Sequence, residues 1–391
     1  MGGMIKSRLF SFISKRRCTL LGIGPMSKNC VDAAIELANT YEIPIMLIAS
    51  RRQIETEKFG GGYVNNWTTE TFSDYVINHD KKGKIVLSRD HGGPWQNEFE
   101  TEEKFSLRKS MESAKKSFQA DIESGFELIH IDTSIDIFGI PHRDEVLQRL
   151  FELYEFCWNI AQQNNRQLVF EVGTEVQTGS TYNPEEVEYN LSEIFRFCNS
   201  NKLPVPAFIV VQTGTCVKET RNIGTFDSPV RIAGELPIEI QLPKILDVCR
   251  RYNILIKEHN TDYLSDESLA WHPRLGIHAA NVAPEFGVTE SNAFYGVLKE
   301  YKLDHIADQF IELSYSSHKW KKWMLPNSNS GKLEKALIAG HYVFATDAFS
   351  DLKNKAEAEL VRFNINIDEY LKEKVKLSML RYLKHFHMIE I

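Results

Sequence analysis

Two histidines and four carboxylates in this chain each stand at the end of a short apolar run. They are His91 and His259, with Asp90, Asp132, Glu175 and Glu258. Imidazole nitrogens combined with carboxylate oxygens form a mixed donor set that suits a divalent metal. Such an ion polarises a carbonyl and holds an oxyanion in hydrolytic or aldol-type reactions. A carboxylic acid nearby then moves protons, provided burial or a like charge raises its pKa. Asp90, Asp132, Glu175 and Glu258 are the candidates for proton transfer, and His91 and His259 for nitrogen ligands. His91 follows Asp90 and precedes Gly92-Gly93-Pro94, a sharp turn; His259 lies in the polar stretch Glu258-His259-Asn260-Thr261-Asp262. A single histidine or carboxylate after a strand is commonly structural, so their joint placement carries the reading. His130 and His278 fall inside their apolar runs and read as structural, hydrogen-bonded residues.

Other polar residues at the ends of the runs are candidate substrate contacts: Arg52, Gln53, Ser134, Gln212, Thr213, Gly214 and Asp262. The turn Thr213-Gly214-Thr215, with Lys218 beyond, offers amides and hydroxyls to an anion. Ser50-Arg51-Arg52-Gln53 is the stronger anion candidate, since one arginine can grip a phosphate or carboxylate with two bonds. Further on, His318-Lys319-Trp320-Lys321-Lys322-Trp323 alternates bases and aromatics. It reads as an anion clamp, a nucleic-acid patch or, preferred here, the end of an amphipathic helix whose tryptophans dock on the main body.

The elements that must position these groups repeat with a clear rhythm. Eight apolar runs start at Cys18, Ile43, Lys84, Glu127, Leu168, Phe208, Ile254 and Leu275, and nearly all break off into polar residues. Stretches such as IMLIA and FIVV are continuously apolar, as strands buried on both faces require. Helical segments fill the gaps, at 30–41, 105–125, 144–165, 184–201 and 238–253. Eight strand–helix units predict a closed (β/α)8 TIM barrel, whose reactive residues gather where the strands end. The expected organisation is a leader over 1–17, the barrel over 18–288 and a helical extension over 289–391 packed on it. The leader is basic and reads as frayed; GHYVFATDAF near 340 is the one ambiguous stretch of the extension.

Composition narrows the class further. Apolar residues make up 42% and charged residues 25%, with a net charge of −7, which argues against a broad nucleic-acid surface. No apolar run is long enough for a membrane span. The six cysteines are scattered without CxxC spacing, as reduced, packed thiols of a cytoplasmic protein would be.

Several segments, in order, resemble the tagatose-bisphosphate aldolase Z-subunit family, the non-catalytic or accessory chain of a class II aldolase. They are Gly60-Gly61-Gly62-Tyr63, Asp90-His91-Gly92-Gly93-Pro94, His130-Ile131-Asp132-Thr133-Ser134 and Gly173-Thr174-Glu175-Val176. Val210-Val211-Gln212, Glu258-His259-Asn260-Thr261-Asp262-Tyr263 and Trp320-Lys321-Lys322 continue the likeness. The resemblance implies a barrel, a ketose phosphate as ligand class, and aldol chemistry or ketose 4-epimerisation at one site. It also implies His91, Glu175 and His259 at a metal, with Gln212 as a further ligand, and Asp90, Asp132 and Glu258 in proton handling or ligand support.

The chain departs from the family after the second strand, where Ser50-Arg51-Arg52 replaces a carboxylate-bearing sequence and adds two positive charges. A more acidic or differently phosphorylated sugar fits that change. The expectation is thus a metal-dependent aldolase of a phosphorylated or acidic ketose, with a 4-epimerase or a silent accessory subunit as alternatives. Zinc is the first expectation for the metal, with cobalt, nickel and manganese as alternatives. A class II aldolase catalytic subunit is the expected protein partner and an oligomer the expected assembly, without nucleic acid or membrane.

Overall fold

The eight apolar runs become eight parallel strands in the computed structural model, which describes residues 3–174, 183–227 and 238–390. In chain order these are β1 (Leu20–Ile23), β2 (Ile45–Ser50), β3 (Ile85–Gly92), β4 (Leu128–Asp132), β5 (Val169–Gly173) and β6 (Phe208–Val210). A small antiparallel hairpin follows, β7 (Val217–Lys218) and β8 (Arg221–Asn222), before β9 (Leu255–Glu258) and β10 (Ala279–Val282) complete the series. The barrel closes where β1 pairs with β10, from Leu20 opposite Ala279 to Ile23 opposite Val282. The fold is a (β/α)8 barrel followed by a helical C-terminal region.

Helices lie where the sequence places them: Lys28–Tyr41, Leu107–Ser124, Arg143–Gln163, Pro184–Ser200 and Ile238–Arg251. Local chemistry sets their ends. The Ser27 side chain accepts the Cys30 N–H, and Asn183 caps a helix that opens on Pro184. The basic leader is not frayed. Residues Gly3–Arg16 form a helix that buries Ile5, Leu9 and Ile13, spaced four apart on one face. Lys6 and Arg8 of this helix donate to the carbonyls of Pro206 and Gly83, just ahead of β6 and β3. It therefore sits at the end of the barrel opposite the mouth.

Beyond the barrel, Pro284–Glu300, Asp304–Ser316 and Asp347–Leu360 enclose a second apolar core built on Phe294, Phe310, Phe349 and Leu352. The last helix, Ile367–His385, returns to the barrel and buries Val375, Met379, Tyr382 and Leu383 in the main core. The ambiguous stretch near 340 forms a 3-10 turn over Gly340–Tyr342 and a helix from Asp347, with no strand. All six cysteines are free thiols, five of them buried. No helix among the described residues is long and apolar enough to cross a membrane.

The pleat divides the charged residues of β3 between two layers. Arg89 points outward and is fully buried against helix Leu107–Ser124, where its Nε donates to Asp121 at 2.7 Å. Its Nη1 donates to the carbonyls of Ala49 and Ile54 at 2.9 and 2.8 Å, tying β2 and its loop to the same helix. Removing one partner from a buried ion pair strands the other charge. Arg89→Ala is expected to lower unfolding stability by about 3–5 kcal/mol, read from urea denaturation monitored by circular dichroism.

Candidate functional site

The pleat that sends Arg89 outward sends Asp90 inward, and a bulge then aims the next residue. The register between β3 and β4 shifts between Arg89 and Gly92, and His91 takes a left-handed φ of 46°. Bulges of this kind redirect a side chain at a barrel rim. The His91 imidazole consequently reaches into the mouth, where its Nδ1 lies 2.6 Å from Asp132 Oδ2. An ionised carboxylate only accepts, so Nδ1–H is the donor and Nε2 faces the interior. There it meets His259 Nδ1 at 3.1 Å, while His259 Nε2 lies 3.1 Å from Glu171 Oε1.

Strand β4 adds a third imidazole. His130 lies directly opposite Glu171 in the register of β4 and β5, and its Nδ1 accepts the backbone N–H of His91 at 3.1 Å. In the neutral ring that bond puts the proton on Nε2, a buried atom with no hydrogen-bond partner among the described residues. Nδ1, 3.5 Å from Asp90 and 3.7 Å from Glu171, is therefore the nitrogen a metal would take, in place of the His91 N–H. The ring fits because residue 173 is glycine: a Cβ there would stand 2.5 Å from His130 Nε2. Gly22 makes a similar allowance, since a Cβ there would come within 2.3 Å of Asn281 Oδ1. Asn281 in turn donates to Asp90 Oδ1 at 3.2 Å.

Two overlapping sets of donors converge here. His91, His130 and His259 form one; Asp90, His130, Glu171 and His259 form the other, with the ligand atoms of each set within 4.8 Å of one another. The chemistry of the donor set suits a divalent ion of the zinc, manganese, cobalt or nickel type. Charge agrees. Among the described residues, Lys257 is the one lysine or arginine paired with Asp90, Asp132 or Glu171, its Nζ 2.6 Å from Glu171 Oε2. A metal that displaced the His91 proton would meet a cluster with two negative charges, which a divalent cation balances.

The same charges set the ionisation of each group. Burial would lower the His91 pKa, but Asp90 and Asp132 outweigh it and lift it to about 9. Burial would raise Glu171, but Lys257 and the histidines bring it down to about 2. Asp90 and Asp132, against the same pull of burial, are held well below the usual carboxylate range by the imidazoles. His259 moves the other way, lowered chiefly by its burial.

Above this floor opens a cavity of about 520 Å³, lined by Asp90, His91, His130, Asp132 and Ser134 and, at its rim, by Arg52, Gln53, Lys322 and Tyr342. Asp132 is fully engaged: Ser134 donates to Oδ1 from its N–H and hydroxyl, and Gln96 donates to Oδ2 at 3.1 Å. Gln53 Oε1 accepts from the Ser50 N–H and hydroxyl. The two arginines after β2 part company. Arg51 turns into the wall against Glu55 and Glu100, at 2.7 and 2.6 Å, whereas Arg52 is exposed at the mouth.

Other candidates lie elsewhere. Glu258 alternates with Lys257 and His259 along the chain and so faces outward; it is fully buried and accepts from Thr261 at 2.7 Å and from Thr213. His272 Nε2 lies 2.7 Å from the same carboxylate. The structure does not bring Glu258 or Thr213 to the cluster. Gly214, at φ 88°, accepts the Phe226 N–H, and Thr215 donates to the His259 carbonyl, so this turn braces the loops. Asp262 caps helix Pro284–Glu300 by accepting the N–H groups of Ala283 and Glu285, both at 2.9 Å. Gln212 is buried at the end of β6. Glu175 lies outside the described residues.

The sequence reading passed over His130, Glu171 and Lys257. The signal for them is period-two alternation: His130 with Asp132, and Lys257 with His259, share one face of their strands. A charged residue on the inner face of an apolar strand needs a buried partner.

Residues 14–195 match a family described as D-tagatose-1,6-bisphosphate aldolase subunit GatZ/KbaZ-like. The D-tagatose-1,6-bisphosphate aldolase subunit GatZ of Escherichia coli, and that of Shigella boydii, are 27% identical over 170 residues. The aligned part is 41% of this chain and spans 37% of the length of those relatives. Among solved structures, a probable tagatose 6 phosphate kinase from Sinorhizobium meliloti superposes with a TM-score of 0.70 at 17% identity, over 94% of this chain and all of that one. The fructose-bisphosphate aldolase of Campylobacter jejuni gives 0.55 at 11% identity, over 100% of this chain and 95% of that one. The fructuronate-tagaturonate epimerase UxaE of Cohnella laeviribosi gives 0.54 at 11% identity, over 94% and 81%. These structural likenesses concern the fold.

The cap at Asp262 yields a test by pH. Burial, with Glu285 beside it, raises this carboxyl from 3.8 to about 7. The native state therefore holds the proton more tightly than the unfolded chain and loses stability as pH climbs from about 4 to 7. Asp262→Asn removes that loss. Its stability relative to the wild type is expected to increase between pH 4.5 and pH 7, measured by urea titration at both values.

Proposed function

We propose that this chain, whose residues 14–195 match the D-tagatose-1,6-bisphosphate aldolase subunit GatZ/KbaZ-like family, carries out metal-assisted aldol or retro-aldol chemistry on a phosphorylated or acidic ketose. The supporting observation is the convergence of three imidazoles with Asp90 and Glu171 on the floor of the mouth. His91, His130 and His259 would hold the ion, with Asp90 and Glu171 as the nearest carboxylates. A divalent ion supplies Lewis-acid polarisation of the ketose carbonyl.

The protein's own groups divide the remaining work by elimination. Asp132 is saturated by His91, Gln96 and Ser134 and acts by orienting the His91 ring. Glu171 is held between Lys257 and His259. Asp90 is left as the ionised carboxylate that lines the cavity and keeps an oxygen, Oδ2, with no hydrogen bond among the described residues, His91 Nε2 lying 3.9 Å away. Retro-aldol cleavage needs the hydroxyl β to the carbonyl to lose its proton, and Asp90 Oδ2 is the acceptor placed for it, a weak base because the surrounding imidazoles hold its pKa low. The carbon–carbon bond then breaks to an aldehyde and an enediolate; a proton returned to the enediolate carbon releases the second fragment, and a proton returned to the alkoxide serves the synthetic direction. Ketose 4-epimerisation uses the same parts if the bond re-forms before the fragments leave.

A second reading draws on the curated relatives, which are named as aldolase subunits. On it, the chain stabilises a class II aldolase catalytic partner. The two readings separate in an assay of the purified chain loaded with zinc, cobalt, nickel or manganese and offered a panel of ketose phosphates. The catalytic reading expects triose phosphate release or a C4 epimer. It further expects Asp90→Asn to cut kcat at least about 100-fold while binding of the metal persists. His91→Ala, His130→Ala and His259→Ala should each weaken metal affinity by at least about tenfold, measured by calorimetric titration. Unchanged affinity in all three contradicts the proposed centre, and activity seen only with an added aldolase chain favours the accessory reading.

A further inference from the structure

The rim of the mouth carries positive charge with no ion-pair partner among the described residues. Arg52 follows β2, and Lys322 belongs to a 3-10 turn, Lys321–Trp323, in the C-terminal region. Both line the same cavity as the histidine–carboxylate cluster. Neither forms an ion pair with a carboxylate among the described residues, although the neighbouring acids are all engaged. Glu98 holds Lys319 with both oxygens at 2.8 Å, and Glu55 and Glu100 are taken by Arg51.

The turn that presents Lys322 is fixed in place. The His318–Trp323 segment follows a helix that ends at Ser316, so it docks as a turn rather than as a helix end. The carbonyl of Trp323 accepts the Glu219 N–H at 2.8 Å, and the carbonyl of Lys322 accepts Lys218 Nζ at 2.9 Å, which fastens the turn to the β7–β8 hairpin. Trp323 Nε1 donates to the Tyr342 hydroxyl at 3.1 Å. The Lys322 ammonium lies 4.9 Å from the Trp323 ring and 5.1 Å from that of Tyr342. Much of Lys322 faces solvent, yet the walls of the mouth, and then the charge of Arg52, pull its pKa down to about 8. Two cations that repel each other beside an open cavity gain free energy when an anion enters between them.

We propose that Arg52 and Lys322 form an anion subsite at the rim of the mouth that grips the phosphate or carboxylate group of the sugar. The C-terminal region thereby contributes a binding residue to the barrel. The subsite deepens the reading of the mouth as a sugar site and rests on it for the identity of the ligand. Arg52 supplies a planar fork and Lys322 a point charge, so the pair accommodates a phosphate ester or a carboxylate.

Binding of small anions to the chelator-treated protein tests the subsite apart from any catalysis. The probes are inorganic phosphate, glycerol 3-phosphate and glucuronate, followed by calorimetry. Arg52→Ala and Lys322→Ala are each expected to weaken phosphate binding about tenfold, the size of one charge-assisted hydrogen bond. Lys322→Arg is expected to restore most of it. Both side chains are exposed, and unchanged thermal melting confirms that the variants fold. Tighter binding of glycerol 3-phosphate than of glucuronate assigns the subsite to a phosphate ester, and the reverse order to a sugar acid. Phosphate affinity unchanged in the Arg52→Ala/Lys322→Ala double variant overturns the proposal. So does phosphate binding that vanishes in His91→Ala/His259→Ala but survives in the double rim variant. Binding that depends on the rim pair in a protein with no turnover upholds the subsite and counts only against the catalytic reading.

Discussion

Charge buried on the inner face of the strands is the constraint on which the rest of this structure depends. Asp132, Glu171, Lys257, His130 and His259 all lie almost wholly out of water. Each is tolerable only because a neighbouring strand supplies the opposite charge or a lone pair. The register does this directly: His130 stands across from Glu171 and Asp132 across from Gly173. A slip of one residue in β4 or β5 would turn these groups away from one another. Barrel closure and the assembly of the site are therefore one event.

The pleat assigns neighbours in sequence to different tasks. Arg89 binds helix Leu107–Ser124 while Asp90 faces the cavity. Glu258 anchors Thr213, Thr261 and His272 behind the sheet, while Lys257 and His259 on either side enter the cluster. After β2, Arg51 locks the wall and Arg52 stays at the rim. The outer members hold the barrel to its helices, and the inner members are free for chemistry.

The strands were legible in the sequence because burial on both faces forces continuous apolar runs, and all eight appear where those runs lie. Asp90 and His91 were legible too, because a polar pair before Gly92-Gly93 marks a strand end. His130 was not: read alone, a histidine within LIHID is a core residue, and only knowledge of which face turns inward distinguishes the two. The same ignorance of parity put Glu258 among the proton carriers, although its place in the fold is behind the sheet. Lys322 joins Arg52 from 270 positions away, through a docked turn that periodicity cannot forecast. The helical leader was obscured by its charges, since its buried stripe of Ile5, Leu9 and Ile13 is only one residue wide.

A metal ion seated among His91, His130 and His259 is the central claim. Anomalous diffraction from crystals of the protein grown with zinc, with data collected on both sides of the zinc edge, tests it most directly. The account predicts one strong peak about 2.1 Å from nitrogens of these rings, with Asp90 and Glu171 the nearest carboxylates. At saturating zinc, a map featureless between the three imidazoles would contradict it.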